Sequence, residues 1–201
     1  ATAAELGLAG APIEGPTHFS QIDPLAVDRW VTAWFERGCV SAHFLNMVVE
    51  GQQVRAAFEP VTATLARIGA EKSDSTPELT GTASIGHDDV TELDERRLRG
   101  LGDPGTLHIV DQLELGMRVA VAEPVTIGFD DDNGNLYPFT LTQKLAKITE
   151  ASSWYLDGGD SPWGRPIVPT EMISVIAHRS NAHFPVRGPA IGLFIDLEVR
   201  Y

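Results

Sequence analysis

One short pattern occurs twice in the sequence. GAPIEGPTHFS runs from Gly10 to Ser20, and GRPIVPTEMIS runs from Gly164 to Ser174. Each reads Gly-x-Pro-Ile, then Pro-Thr, then Ser. Each is followed by a helix-like stretch and an Arg-Gly pair, Arg37-Gly38 and Arg187-Gly188, with Phe44 and Phe194 six residues beyond the glycines. From Gly10 to Arg37 is 27 positions, and from Gly164 to Arg187 is 23. Two anchored blocks in the same order point to two copies of one helix-then-strand fold, packed by pseudo-two-fold symmetry.

The chain of 201 residues has room for one large domain or two units of about 100 residues. Its formal net charge of −13 repels phosphate backbones and anionic lipid, so nucleic acid and membrane surfaces are poor partners. The single cysteine, Cys39, rules out an intrachain disulfide. No Cys-x-x-Cys or His-x-x-x-His spacing suggests a structural zinc site. The opening ATAAELGLAG does not read as a signal peptide, and no apolar run approaches the ~20 residues of a membrane span. The expectation is a cytoplasmic protein.

Along the chain, a helix is expected from Pro16, with Asp23 as a cap and Pro24 in its first turn. Leu25, Trp30, Val31, Trp34 and Phe35 give it one apolar face, and Gly38 ends it. CVSAHFLNMVVEGQQVRAAFEP, TATLARIGAEK and ELTGTASIG then read as a meander of three or four antiparallel strands, with a turn at Gly51. Residues 88–105 read as a linker or a surface helix. In the second unit, TLHIVDQL and RVAVAEPVTIGFD look like strands, and DDDNGNLYP looks like a turn-rich loop. PTEMISVIAHRS looks like a helix capped by Thr170, and RGPAIGLFIDLEVRY like a closing strand. The division is therefore 1–87, a linker 88–105, and 106–201.

The two Gly-x-Pro-Ile segments resemble the helix-entry segment of MaoC-like acyl dehydratases, in the hotdog superfamily that also holds thioesterases. VVEGQQVRA is similar to a turn between long strands of those domains. The resemblance covers about residues 8–85 and 107–201. It implies an α+β, hotdog-like fold, with antiparallel sheets wrapped around central helices in two related units. It also implies an acyl thioester of coenzyme A or a carrier protein as substrate, with no further cofactor, held in a mostly apolar tunnel. Hydratases of the family carry Asp, four residues, then His, upstream of the Gly-x-Pro-Ile loop. Here no Asp or His precedes Gly10. In the second copy, Asp157 and Asp160 are available, but no His follows either of them at that offset. The first unit also reads as lacking an opening strand and the second as lacking closing ones, so the expectation is either a fragment of a longer double hotdog or a homo- or hetero-oligomeric partner that completes a sheet.

His18 and Glu171 occupy equivalent places in Pro-Thr-His and Pro-Thr-Glu, each at a helix start. Either can activate water there, with helix N–H groups polarising a carbonyl. A first-turn acid favoured by the helix dipole explains Glu171 equally. Asp160, with Asp157, can act as an acid or base, or be a turn former beside glycines. Arg37 and Arg187 suit coenzyme A phosphates, or the last carbonyls of their helices. His43 lies within a strand, where a tunnel-facing or a structural role is open. Trp30, Trp34 and Phe35 read as core. Asp130 to Gly134 lack the Glu of a calcium loop. Two functional classes stay open. One is an acyl-thioester enzyme, a thioesterase or hydratase. The other is a non-catalytic hotdog subunit that binds an acyl group or partners a catalytic chain.

Overall fold

The computed structural model describes Gly7 and residues 10–100, 102–103, 105–120, 123–148, 150–181, 184–188 and 193–201. The chain divides into two compact units. Unit 1 is Ala1–Leu101 together with Leu193–Tyr201, and unit 2 is Gly102–Gly192.

Unit 1 is α+β. A 3-10 turn, Gly15–His18, runs into helix α1, Phe19–Trp30. Phe19, Ile22, Ala26 and Trp30 recur every three or four residues and are all buried, which is the stripe a helix needs to sit on a sheet. The expected cap at Asp23 is not where the helix starts. Pro24 lies inside α1 and is exposed, so its missing N–H falls on the solvent side. Asp23 instead turns into the core and accepts the indole N–H of Trp34 at 2.9 Å. Val31, at φ 52, breaks the helix, and α2, Ala33–Arg37, follows and stops at Gly38 as expected.

Of strands β1 (Gly38–Phe44), β2 (Val54–Pro60), β3 (Leu65–Lys72) and β4 (Pro77–Ile85), the last three form the expected antiparallel meander, with Gly51 at φ 87 in the turn before β2, while β1 pairs antiparallel with β4 and not with β2. A fifth strand, β5 (Asp196–Arg200), pairs antiparallel with the free edge of β1, giving the order β2-β3-β4-β1-β5. One face carries Val40, Ala42, Ala66, Ile68, Ala70, Leu79 and Ala83 against α1. At Gly81 the strands come so close that a Cβ would stand 2.1 Å from the Ser41 carbonyl oxygen. Between β4 and β5, a capping box of Thr91 and Asp94 starts helix α3, Glu92–Leu98, in the stretch expected as linker or helix. Its first N–H groups bond the sheet: Glu92 to Thr82 Oγ1 and Leu93 to Ser41 Oγ.

Unit 2 departs from the expected second sheet. Among its described residues there is no strand. Of the segments read as strands, 106–113, 118–120 and 123–130 are irregular, residues 121–122 lie outside the described residues, and Leu113 and Leu115 lie exposed. Strand propensity is realised only against a cross-strand partner, and these segments have none. The closing strand of the expected second unit is β5, which belongs to the sheet of unit 1. Residues 189–192 of that stretch lie outside the described residues. What unit 2 holds is helical. α4 (Leu141–Leu145) begins in a capping box of Thr140 and Gln143. A 3-10 turn, Thr170–Met172, runs into α5 (Ile173–Asn181). Thr170 is not the cap; Pro169 holds that place. Leu141, Met172 and Val175 make a small core with Ile127, Phe129, Tyr137, Phe139 and Leu145. So the two Pro-Thr segments do begin alike, each with a 3-10 turn that continues into a helix. The likeness stops there, because only the first helix lies on a sheet.

Candidate functional site

His18 ends the 3-10 turn and leads into α1, the place its Pro-Thr-His context suggested. It is buried, at 4% exposure. Gly15 lets the turn lie against the Phe44 ring, where a Cβ would stand 3.0 Å from the nearest ring carbon. Across from His18 is Glu78, 1% exposed, with Oε1 3.7 Å from the His18 Nε2.

Alternation along PELTGTASI groups Glu78 with Thr80 and Thr82, on the face away from α1. Leu79 packs in the core beneath the helix. The register explains how Glu78 reaches the same side. Ala70 pairs with Leu79 but Glu71 pairs with Pro77, so Glu78 is an extra residue in β4, a β-bulge. Its carbonyl accepts the N–H of Leu45 at 2.7 Å and of Asn46 at 3.2 Å, which fixes the bulge from the β1 side.

Burial moves both groups away from charge. It pushes the Glu78 carboxyl up to about 8, against a smaller opposing pull from Lys72. It lowers His18 to about 4. At neutral pH the pair is a carboxylic acid facing a neutral imidazole, not an ion pair. Gln21, one helical turn on, places its Nε2 3.4 Å from the His18 Nδ1. Glu78 Oε2 is buried and has no hydrogen-bond partner among the described residues. A titratable pair of this kind, held uncharged by its surroundings, matches the pattern of an acid–base site.

The other expected residues are placed as follows. Glu171 is buried in unit 2, with Oε2 3.2 Å from Lys144 Nζ on α4. The ammonium also stands 5.4 Å from the centre of the Phe139 ring. Asp160 is exposed and accepts the Ser153 hydroxyl, and Asp157 is exposed nearby in sequence. Arg187 Nε donates to Asp111 at 2.7 Å, and its backbone N–H bonds the Ile109 carbonyl. Arg37 is exposed at the end of α2, where its carbonyl accepts the Gly86 N–H. His43 Nδ1 sits 3.0 Å from Asp196, whose carboxylate also takes Arg96 Nε at 2.8 Å. His43 thus helps tie β5 to β1 and α3. Cys39 is buried and its thiol is pushed up to about 11, chiefly by burial, so it is no nucleophile at neutral pH.

Sequence reasoning picked out His18 and missed Glu78, Gln21 and Lys144. No sequence signal marks the bulge that turns Glu78 inward. Gln21 had a signal, its i+3 spacing from His18. In unit 2, a cavity of ≈ 90 Å³ is lined by Val125, Ile127, Leu141, Val168, Met172 and Ile176. Ligand pockets run to about 300–1,000 Å³, so this one does not fit a long acyl chain. No group of three metal-ligating side chains is found among the described residues, and no described helix is long and apolar enough to cross a membrane. Compared with family models, curated proteins and solved structures, the chain matches none.

Proposed function

We propose that this chain acts on acyl thioesters, by hydrolysis or by hydration of a conjugated double bond, with His18 and Glu78 of unit 1 as its proton-transfer pair. The observation that carries the reading is the buried contact between the two, 3.7 Å apart beside the start of α1. Two features support it. The Gly-x-Pro-Ile entry resembles that of MaoC-like domains. The five-stranded antiparallel sheet packed on α1 is compatible with a hotdog-like fold. In hydrolysis, water adds to the thioester carbonyl, the C–S bond breaks, and the thiol leaves with a proton. In hydration, the water oxygen bonds the β-carbon and a proton goes to the α-carbon. Each needs a proton moved at a dry site, and a neutral acid beside a neutral imidazole can move one at pH 7. Lys144 neutralises Glu171, which suits a structural ion pair better than a general base.

The second reading is a subunit that binds an acyl group without turnover. The near-complete burial of His18 and Glu78 favours it, since a neutral polar pair can also simply be a core contact. Assembly with a second subunit belongs to either reading, and a mass measurement in solution checks it.

A panel of acyl- and enoyl-coenzyme A species separates the two. Free thiol release or loss of the enoyl absorbance is expected with the wild type. Glu78→Gln and His18→Ala should lower the rate about 100-fold, the low end for general acid–base groups. Binding without turnover supports the second reading. If no species binds, both fall.

A further inference from the structure

Gln21 is three residues beyond His18 on α1, and this spacing sets its amide beside the imidazole. The nitrogen of that amide, not its oxygen, lies toward Nδ1. An amide nitrogen only donates, so Nδ1 is the acceptor and carries no proton. The ring proton is then on Nε2, which faces Glu78 Oε1. Glu78 Oε2 is the buried oxygen with no hydrogen-bond partner among the described residues.

We infer that Gln21 is a positioning residue: it holds His18 in the Nε2–H tautomer, with the ring N–H turned toward Glu78. Under this arrangement His18 presents its ring N–H toward Glu78 and is the inner member of the proton-transfer pair. The group that meets a ligand is the carboxylic acid. It suits a neutral acceptor such as a carbonyl oxygen. The tautomer stands on geometry alone. Only the ligand part rests on the acyl-thioester reading.

The tautomer is read by long-range proton–nitrogen correlation of the histidine rings in ¹⁵N-labelled protein. His18 is identified by the signal lost in His18→Gln. Recording at about pH 5, above the pKa of about 4 to which burial lowers His18, keeps this ring neutral. The wild type should show an unprotonated Nδ1 and a protonated Nε2. Gln21→Glu, whose carboxylate only accepts, should move the proton to Nδ1. Gln21→Met should give a mixture of both forms. A wild-type ring protonated on Nδ1 overturns the inference, and that spectrum decides even if the variants fail to fold. So does an unchanged pattern in both variants. Turnover of the coenzyme A panel is measured on the same samples. Absent turnover with the expected tautomer sinks the thioester reading and leaves the role of Gln21 intact. Active wild type with the opposite tautomer does the reverse.

Discussion

Glu78 faces His18 because β4 carries one residue more than β3 across the step from Ala70 to Glu71. Without that extra residue, strict alternation sends the carboxyl to the other face of the sheet. Bulges re-aim side chains, and here the re-aimed group is an acid put into a dry interior. The cost of keeping it there is visible in how stability should vary with pH.

Glu78 in the folded protein keeps its proton up to about pH 8, whereas the unfolded chain gives it up near 4.5. That difference weakens folding as pH rises through the interval. His18 works the other way: folded it stays neutral down to about 4, and unfolded it takes a proton below 6.5, so folding weakens as pH falls from 6.5 to 4. Between 4.5 and 6.5 each state holds one proton on the pair and the effects cancel. From 6.5 to 8 only the folded state holds one, and stability should drop by about 1.4 kcal/mol per pH unit, about 2 kcal/mol in all. In a urea-midpoint series, Glu78→Gln should abolish this drop and His18→Gln should start it near pH 4.5. A wild-type curve that runs parallel to that of Glu78→Gln contradicts the assignment.

Gly81 and Gly69 make a paired test of strand packing. A Cβ at position 81 meets the Ser41 backbone oxygen at 2.1 Å, and only backbone movement can relieve it. Gly81→Ala should cost about 3 kcal/mol or more. At Gly69 the nearest atom is the Leu79 carbonyl oxygen at 3.6 Å, an ordinary contact. Gly69→Ala should stabilise by about 0.5 kcal/mol, since glycine in a strand costs entropy. Chemical denaturation of both variants gives the comparison.

In unit 2, the buried Glu171 relies on Lys144. Lys144→Met leaves a carboxylate buried beside an apolar side chain and should destabilise by about 3 kcal/mol. Adding Glu171→Met should recover most of the loss, because it removes the buried carboxylate as well. A double-mutant cycle on thermal or urea unfolding measures the coupling. Equal costs for the single and double variants argue that the pair contributes nothing.

Tyr201 packs edge-on against Trp34 and Phe35, with ring centres 5.4 and 5.6 Å away. Tyr201→Ala should cost about 1–3 kcal/mol, the sum of two such aromatic contacts. The Trp34 emission should shift to longer wavelength as water reaches it. An unchanged spectrum implies that β5 does not need this ring.

Much of unit 1 is legible in the sequence. The stripe from Phe19 to Trp30 and the stop at Gly38 follow from local rules, and so do the strands ending at Ile85. Pro24 misleads, because proline is tolerated inside α1 at an exposed position. His18 is legible as a helix-entry polar residue, while Glu78 is not, since one inserted residue inverts the face that alternation assigns. The partner of β5 is not legible either. LFIDLEVRY reads as a strand, but its neighbour is decided by the empty edge of β1 and by His43, Arg96 and Trp34 far away in sequence. The strands expected over 106–113 and 118–130 are not found among the described residues for the converse reason: there a β-prone pattern has no strand edge beside it.

The gap between α3 and β5 has a consequence for translation. Residues 102–192 must leave the ribosome before the strand that closes the unit 1 sheet exists. A nascent chain halted in that interval presents β1 as a bare edge, which invites chaperones, proteases or other unfinished copies. The sheet of unit 1 is thus completed only after the whole of unit 2 has been made.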